Sequence, residues 1–260
     1  MPMLSPIASL SERLRSKPTN LLGWSEFRDP MLVGIMARSG YDAVLLDQQH
    51  GFHDGASCVA GISEAALAHT PVLVRVPVGD FSQAARMLDF GAAGVIAPMI
   101  NSAADARAFV SFVKYPSLGQ RSFGPGRDMQ LRGIGAENDY LATANVASLA
   151  LVMCETREAL NALDDILNVP GVDGVLAGPG DLSVALSEGQ SFDPTGEAVQ
   201  SAMKHIAHRT RAAGKFACGF AGSAESARRL ARDGYHLISV GYDGGIIADA
   251  FSAMIAHASA

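Results

Sequence analysis

The sequence predicts a single (β/α)8 barrel, and three observations carry that prediction. Eight short apolar runs recur along the chain, stretches of helical periodicity separate them, and a length of 260 residues suits one such barrel better than two small domains.

Taken in order, the strand at Leu21–Trp24 leads to a helix over Asp29–Ser39, and the strand at Ala43–Leu46 follows. Val72–Arg75 leads to Ser82–Phe90, Gly94–Ala97 to Ala103–Val113, and Ala150–Met153 to Arg157–Leu167. Gly174–Ala177 precedes the helix Gly196–Ala213, Phe216–Gly219 precedes Ser223–Asp233, and Leu237–Val240 precedes a last helix at about 245–257. Gly40, Gly91, Gly171, Gly214 and Gly234 each fall between a helix and the next strand, where a left-handed residue ends the helix. One segment breaks the rhythm. Tyr115–Asn145 carries five glycines and is expected to form a long excursion at one barrel end, a position that often serves as a lid.

About 48% of the residues are hydrophobic, enough for a full core, so residues 1–260 are read as one domain. The formal charge is −6, with lysine and arginine scattered singly, which gives no reason to expect nucleic acid or an anionic membrane as partner. Cys58, Cys154 and Cys218 lack CxxC spacing and lie among apolar residues, as reduced buried thiols do. No run approaches a membrane span and no secretory core is visible, so a soluble, cytoplasmic small-molecule enzyme is expected.

Glu155 and Asp181 each follow an apolar run, which in a parallel barrel brings both carboxylates to the catalytic mouth, where a hard divalent cation could be held. Asp47 and His50 lie three residues apart after the second strand: either a general base oriented by a carboxylate, or a hydrogen-bonded loop histidine. Arg75 interrupts an apolar strand and shares a face with Leu73, leaving a choice between a structural ion pair and a grip on an anionic ligand. Gly178-Pro179-Gly180 allows close backbone approach, and the amides of Gly180, Asp181 and Leu182 are candidates to bind a substrate carboxylate; a plain turn is the alternative. Lys17, Lys114, Lys204 and Lys215 all miss the C-terminal strand ends, which argues against a Schiff-base aldolase, and Walker A, HExxH, GxGxxG and GxSxG elements are absent.

The ordered set Asp47-Gln48-Gln49-His50, Val74-Arg75-Val76-Pro77, Leu88-Asp89-Phe90-Gly91, Ala97-Pro98-Met99, Tyr115-Pro116-Ser117-Leu118-Gly119-Gln120-Arg121, Glu155-Thr156-Arg157 and Gly178-Pro179-Gly180-Asp181-Leu182-Ser183 resembles the HpcH/HpaI aldolase family, over roughly residues 20 to 245. The resemblance implies a metal-dependent class II pyruvate aldolase. Glu155 and Asp181 would bind Mg2+, Mn2+ or Co2+, Arg75 would stabilise the enolate, and His50 with Asp47 and Asp89 would handle protons. It also implies a 2-oxo acid and an aldehyde as substrates, and a homo-hexamer in which the last helix packs on a neighbour. The chain departs from many members at Met153 and Gln49, which remove polar groups near the metal, and at Phe123. The alternatives are a CoA-thioester lyase of the same superfamily, for which no basic cluster is apparent, and a catalytically silent binding barrel.

Overall fold

The computed structural model describes residues 9–259; residues 1–8 and 260 of the expected domain lie outside the described residues. Strands β1 (Asn20–Ser25), β2 (Ala43–Asp47), β3 (Val72–Arg75), β4 (Gly94–Ala97), β5 (Leu149–Cys154), β6 (Gly174–Ala177), β7 (Phe216–Ala221) and β8 (Leu237–Val240) form a closed parallel barrel in sequence order. β8 returns to β1 through the Asn20–Leu237 and Leu22–Ser239 pairs. All eight expected strands are present, and the five glycines at the helix-to-strand turns have positive φ.

The helices are α1 (Leu10–Ser16), α2 (Pro30–Arg38), α3 (Gly55–Leu67), α4 (Phe81–Asp89), α5 (Ala103–Val113), α6 (Gly126–Arg132), α7 (Glu137–Ala147), α8 (Arg157–Asn161), α9 (Leu163–Leu167), α10 (Pro179–Leu186), α11 (Glu197–Ala212), α12 (Ala224–Arg232) and α13 (Asp243–Ala258). Asp29, Asp54, Asp80, Ser102 and Ser223 accept amide hydrogens at the starts of α2, α3, α4, α5 and α12. The single helix expected over Arg157–Leu167 is two short ones joined at Ala162.

Strand alternation divides the core in two. Leu22, Leu45, Leu73, Ile96, Leu151, Leu176 and Leu237 fill the barrel, while Val44, Val74, Val95, Val152 and Val175 pack outward against the helices. Leu10 and Leu14 of α1 join the inner cluster and plug the end where the strands begin. Cys154 belongs to the outer cluster, so its neighbours Met153 and Glu155 face inward.

The excursion is not a lid over the mouth. It leaves α5 and returns through α6 and α7 to the start of β5, which is the end of the barrel opposite the strand C-termini. There Tyr140 donates to Asp128, and Lys114, only 1% exposed, bonds the carbonyls of Asn145 and Ser148 and the carboxylate of Asp173. These contacts tie the segment to the barrel base.

Candidate active site

Arg75 ends β3 as the register partner of Asp47 at the end of β2. Asp47 is fully buried and takes Arg75 Nε at 2.8 Å through Oδ1 and Nη2 through Oδ2. The guanidinium stacks 4.8 Å above the Trp24 ring, and the indole N–H donates to Asp47 at 3.4 Å. Burial alone would raise the Asp47 pKa, but the Arg75 pair and the amides of Gln49 and His50 hold it below the usual carboxylate value. Nη1 is left without a carboxylate and lies 4.0 Å from the Met153 sulfur. One edge of Arg75 is therefore a structural pair with Asp47, and the other makes no bond to a carboxylate.

Glu155 follows β5 and is 1% exposed. Its Oε1 accepts the Met99 amide at 2.8 Å, while Oε2 is buried with no hydrogen-bond partner. Met99 holds a left-handed φ of 56° to make that bond, a conformation that costs roughly 1–3 kcal/mol in a residue with a Cβ and tends to occur where function requires it. Burial drives the Glu155 pKa up to about 7; the Met99 amide opposes the shift and the neighbouring Asp181 carboxylate adds to it. Gly178 leaves the space beside Oε2 open, since a Cβ there would lie 2.9 Å from that oxygen. A buried carboxylate oxygen without a donor, next to a second carboxylate, fits a hard cation. Among the described residues no third His, Cys, Asp or Glu completes such a cluster, so water and substrate would supply the remaining ligands.

The Gly178-Pro179-Gly180-Asp181 segment is a helix start, with Gly178 as N-cap and Pro179 in the first turn of α10. The amides of Gly180 and Asp181 have no partner among the described residues. Leu182 does not share this role: its amide bonds the Gly178 carbonyl at 3.1 Å and its side chain is fully buried. Beside Gly180 opens a cavity of about 380 Å³ lined by Phe192, Thr195, Phe220 and Arg229.

His50 lies on the β2–α3 loop with its ring exposed. Asp47 does not orient that ring; it accepts only the backbone amide of His50, at 3.4 Å, because its side-chain capacity is taken by Arg75. The buried histidine of the loop is His53, 6% exposed and bonded to Ser25 and Ser57. Asp89 also departs from expectation. It ends α4 before β4 begins, at the barrel end opposite the mouth, where it pairs with Arg121 at 2.7 Å.

Sequence reasoning passed over Trp24, Met99 and Glu26. Trp24 is the only tryptophan and sits near the end of β1, a signal that was readable. Glu26 follows β1; burial and the charges of Asp47 and Asp243 raise its pKa. A basic groove also exists where scattered residues suggested none: Arg15, Lys17, Lys204, Arg211, Lys215 and Arg232 line it at the barrel base, away from the mouth.

The family model described as HpcH/HpaI aldolase/citrate lyase matches residues 21–250. A hydroxypyruvate/pyruvate aldolase of Rhizorhabdus wittichii is 37% identical over 240 residues, covering 92% of this chain and 94% of that protein. A 2-keto-3-deoxy-L-rhamnonate aldolase of Salmonella typhi is 32% identical, covering 94% and 91%. The crystal structure of an HpcH/HpaI aldolase/citrate lyase family protein from Burkholderia cenocepacia superposes with a TM-score of 0.85 at 27% identity, covering 96% of this chain and 99% of that one.

Proposed function

Since the chain belongs to the HpcH/HpaI aldolase/citrate lyase family, we propose that it is a class II aldolase, reversibly splitting 4-hydroxy-2-oxo acids into an aldehyde and pyruvate or hydroxypyruvate with a divalent cation. The observation that carries this reading is the buried, unpartnered Oε2 of Glu155 beside Asp181. Glu155 and Asp181 would hold Mg2+, Mn2+ or Co2+, and the cation when bound would supply Lewis-acid polarisation of the 2-oxo group.

The chain's own groups account for the rest. The free amides of Gly180 and Asp181, at the positive end of α10, receive the substrate carboxylate. His50, whose exposed ring makes no hydrogen bond among the described residues, removes a proton from C3 of pyruvate. The Nη1 edge of Arg75 donates to the oxygen where enolate charge develops; Asp47 and Trp24 fix its angle beforehand, so little reorganisation is needed. C3 then adds to the aldehyde, the C=O π pair moves to the aldehyde oxygen, which takes up a proton to give the 4-hydroxyl, and the rest of the aldehyde extends into the cavity by Phe192 and Phe220. Asp89, paired with Arg121 at the far end, takes no step within this chain.

The remaining expectations belong to the same reading. No helix among the described residues is long and apolar enough to cross a membrane, which is consistent with a cytoplasmic enzyme. Phe251, Met254 and Ile255 on α13 are each at least 66% exposed, a surface suited to a homo-oligomer, hexameric by family resemblance. The basic groove gives a CoA thioester no support, because an acyl group at the mouth would leave the nucleotide on the wrong side of the barrel. The test is turnover of pyruvate and hydroxypyruvate with short aldehydes by chelator-stripped protein, with and without Mg2+, Mn2+ or Co2+. Metal-restored carbon–carbon bond formation is expected; absence of all activity would favour the silent barrel.

A further inference from the structure

We propose that His53 is a positioning residue for the reaction: it locks the loop that carries His50 onto the ends of β1 and β8. This rests on the aldolase reading and on His50 as the base.

The geometry is a chain of hydrogen bonds across three consecutive strand-end loops. His53 Nδ1 lies 3.1 Å from Ser57 Oγ at the start of α3, and Nε2 lies 3.1 Å from Ser25 Oγ at the end of β1. Ser25 in turn donates to Asp243 Oδ2 at 3.0 Å, and Asp243, 3% exposed, also accepts the amides of Glu26 and Phe27. Because Ser25 donates its single proton to Asp243, its oxygen accepts from His53 Nε2, while Nδ1 faces the Ser57 hydroxyl, which also lies 3.1 Å from the Asp54 carbonyl. The ring joins the β2 loop to the end of β1 and, through Ser25, to Asp243 at the root of α13; the Phe27 and Phe52 rings, stacked 6.3 Å apart, are a second contact between the first two loops.

The rest of the loop needs that hold. Phe52 N–H bonds the Glu26 carbonyl at 2.7 Å, and Gly51 sits so close that a Cβ would come within 2.9 Å of Glu26 Cα and 2.5 Å of the Asp47 carbonyl. The loop is thus pressed against β1 between His50 and His53, while the His50 ring has no partner of its own. Its direction is set by the backbone alone, and the backbone is pinned on one side by Asp47 and on the other by His53. Displacing a catalytic group by about 1 Å can cost on the order of 100-fold in rate.

The test uses His53→Leu and His53→Gln, with Ser57→Ala as a milder variant that removes the Nδ1 partner together with the bond Ser57 Oγ accepts from the Asp54 amide at the start of α3. Three quantities are read on metal-loaded protein: deuterium exchange into C3 of pyruvate, which needs the base; oxaloacetate decarboxylation, which forms the same enolate without removing a C3 proton; and backbone amide exchange over residues 48–53. His53→Leu should slow pyruvate exchange at least tenfold with KM for pyruvate within twofold, leave decarboxylation within about threefold, and accelerate amide exchange in the loop. His53→Gln, which keeps a donor for Ser25, should recover much of the loss, and Ser57→Ala should show a smaller loss with the same selectivity. Equal losses in both reactions, or unchanged loop exchange in His53→Leu, would overturn the proposal. Failure of the wild-type protein to catalyse either reaction would overturn the aldolase reading instead, and amide exchange would still decide whether His53 holds the loop.

Discussion

Asp47 and Arg75 are register partners at the ends of β2 and β3, and the carboxylate of the first takes two donors of the second. The pair is buried, so its members depend on each other far more than an exposed pair would.

Removing one partner should be costly. Asp47→Asn should destabilise the protein by about 3–5 kcal/mol, the range for leaving a buried charge uncompensated. The Asp47 pKa is depressed in the fold, so its contribution is complete above the unfolded value near 3.8 and is lost as pH falls through the folded value. Denaturant titrations from pH 2 to 7 should therefore show a shallower acid limb in the mutant; an identical limb would mean the pair is not what holds Asp47.

Arg75→Lys keeps the charge but loses the fork that serves Asp47 and the ligand together. Turnover should fall by at least tenfold while Mn2+ affinity changes little. A fall in thermal stability with kcat intact would leave Arg75 only a structural role.

Glu155→Gln keeps the acceptor for Met99 and removes a charge that burial disfavours. The metal-free variant should melt several degrees above metal-free wild type at pH 8, yet gain nothing from added Mn2+ and show no turnover. Melting curves with and without the metal decide this. A wild-type-sized metal shift in the variant would remove Glu155 from the metal site.

His50→Ala should reduce pyruvate C3 exchange and aldol turnover by roughly 10²–10⁴-fold while oxaloacetate decarboxylation largely survives. Arg75→Ala should damage both reactions. Parallel losses in His50→Ala would show that another group is the base.

Phe251→Glu with Met254→Glu places charge on the exposed face of α13 without touching the barrel. Sedimentation should show a smaller species than wild type with unchanged far-UV signal. An unchanged mass would mean that assembly, if any, uses another surface.

The barrel was legible because its evidence is local. Each strand is an apolar run, five of the helix-to-strand turns carry a glycine, and eight repetitions leave few other architectures. That Arg75 shares a face with Leu73 was equally readable, since alternation along a strand needs no knowledge of its neighbours; which face lines the barrel was decided by the closed sheet. Helix α3 was missed because Gly55, Ser57, Gly61 and its many alanines give no distinct apolar stripe, and α10 because Gly178-Pro179-Gly180 reads as a turn as well as a helix start.

What only the tertiary structure decided was which polar group meets which. Asp47 stands three residues from His50 and 28 from Arg75 in sequence, yet it bonds the Arg75 side chain because their strands are adjacent and in register. Asp89 goes to the far end with Arg121, His53 to Ser25 and Asp243, and six scattered basic residues to one groove. Periodicity reports how a residue faces its own strand or helix, whereas a side-chain partner is chosen by distances of about 3 Å across elements, and those exist only once the barrel has closed.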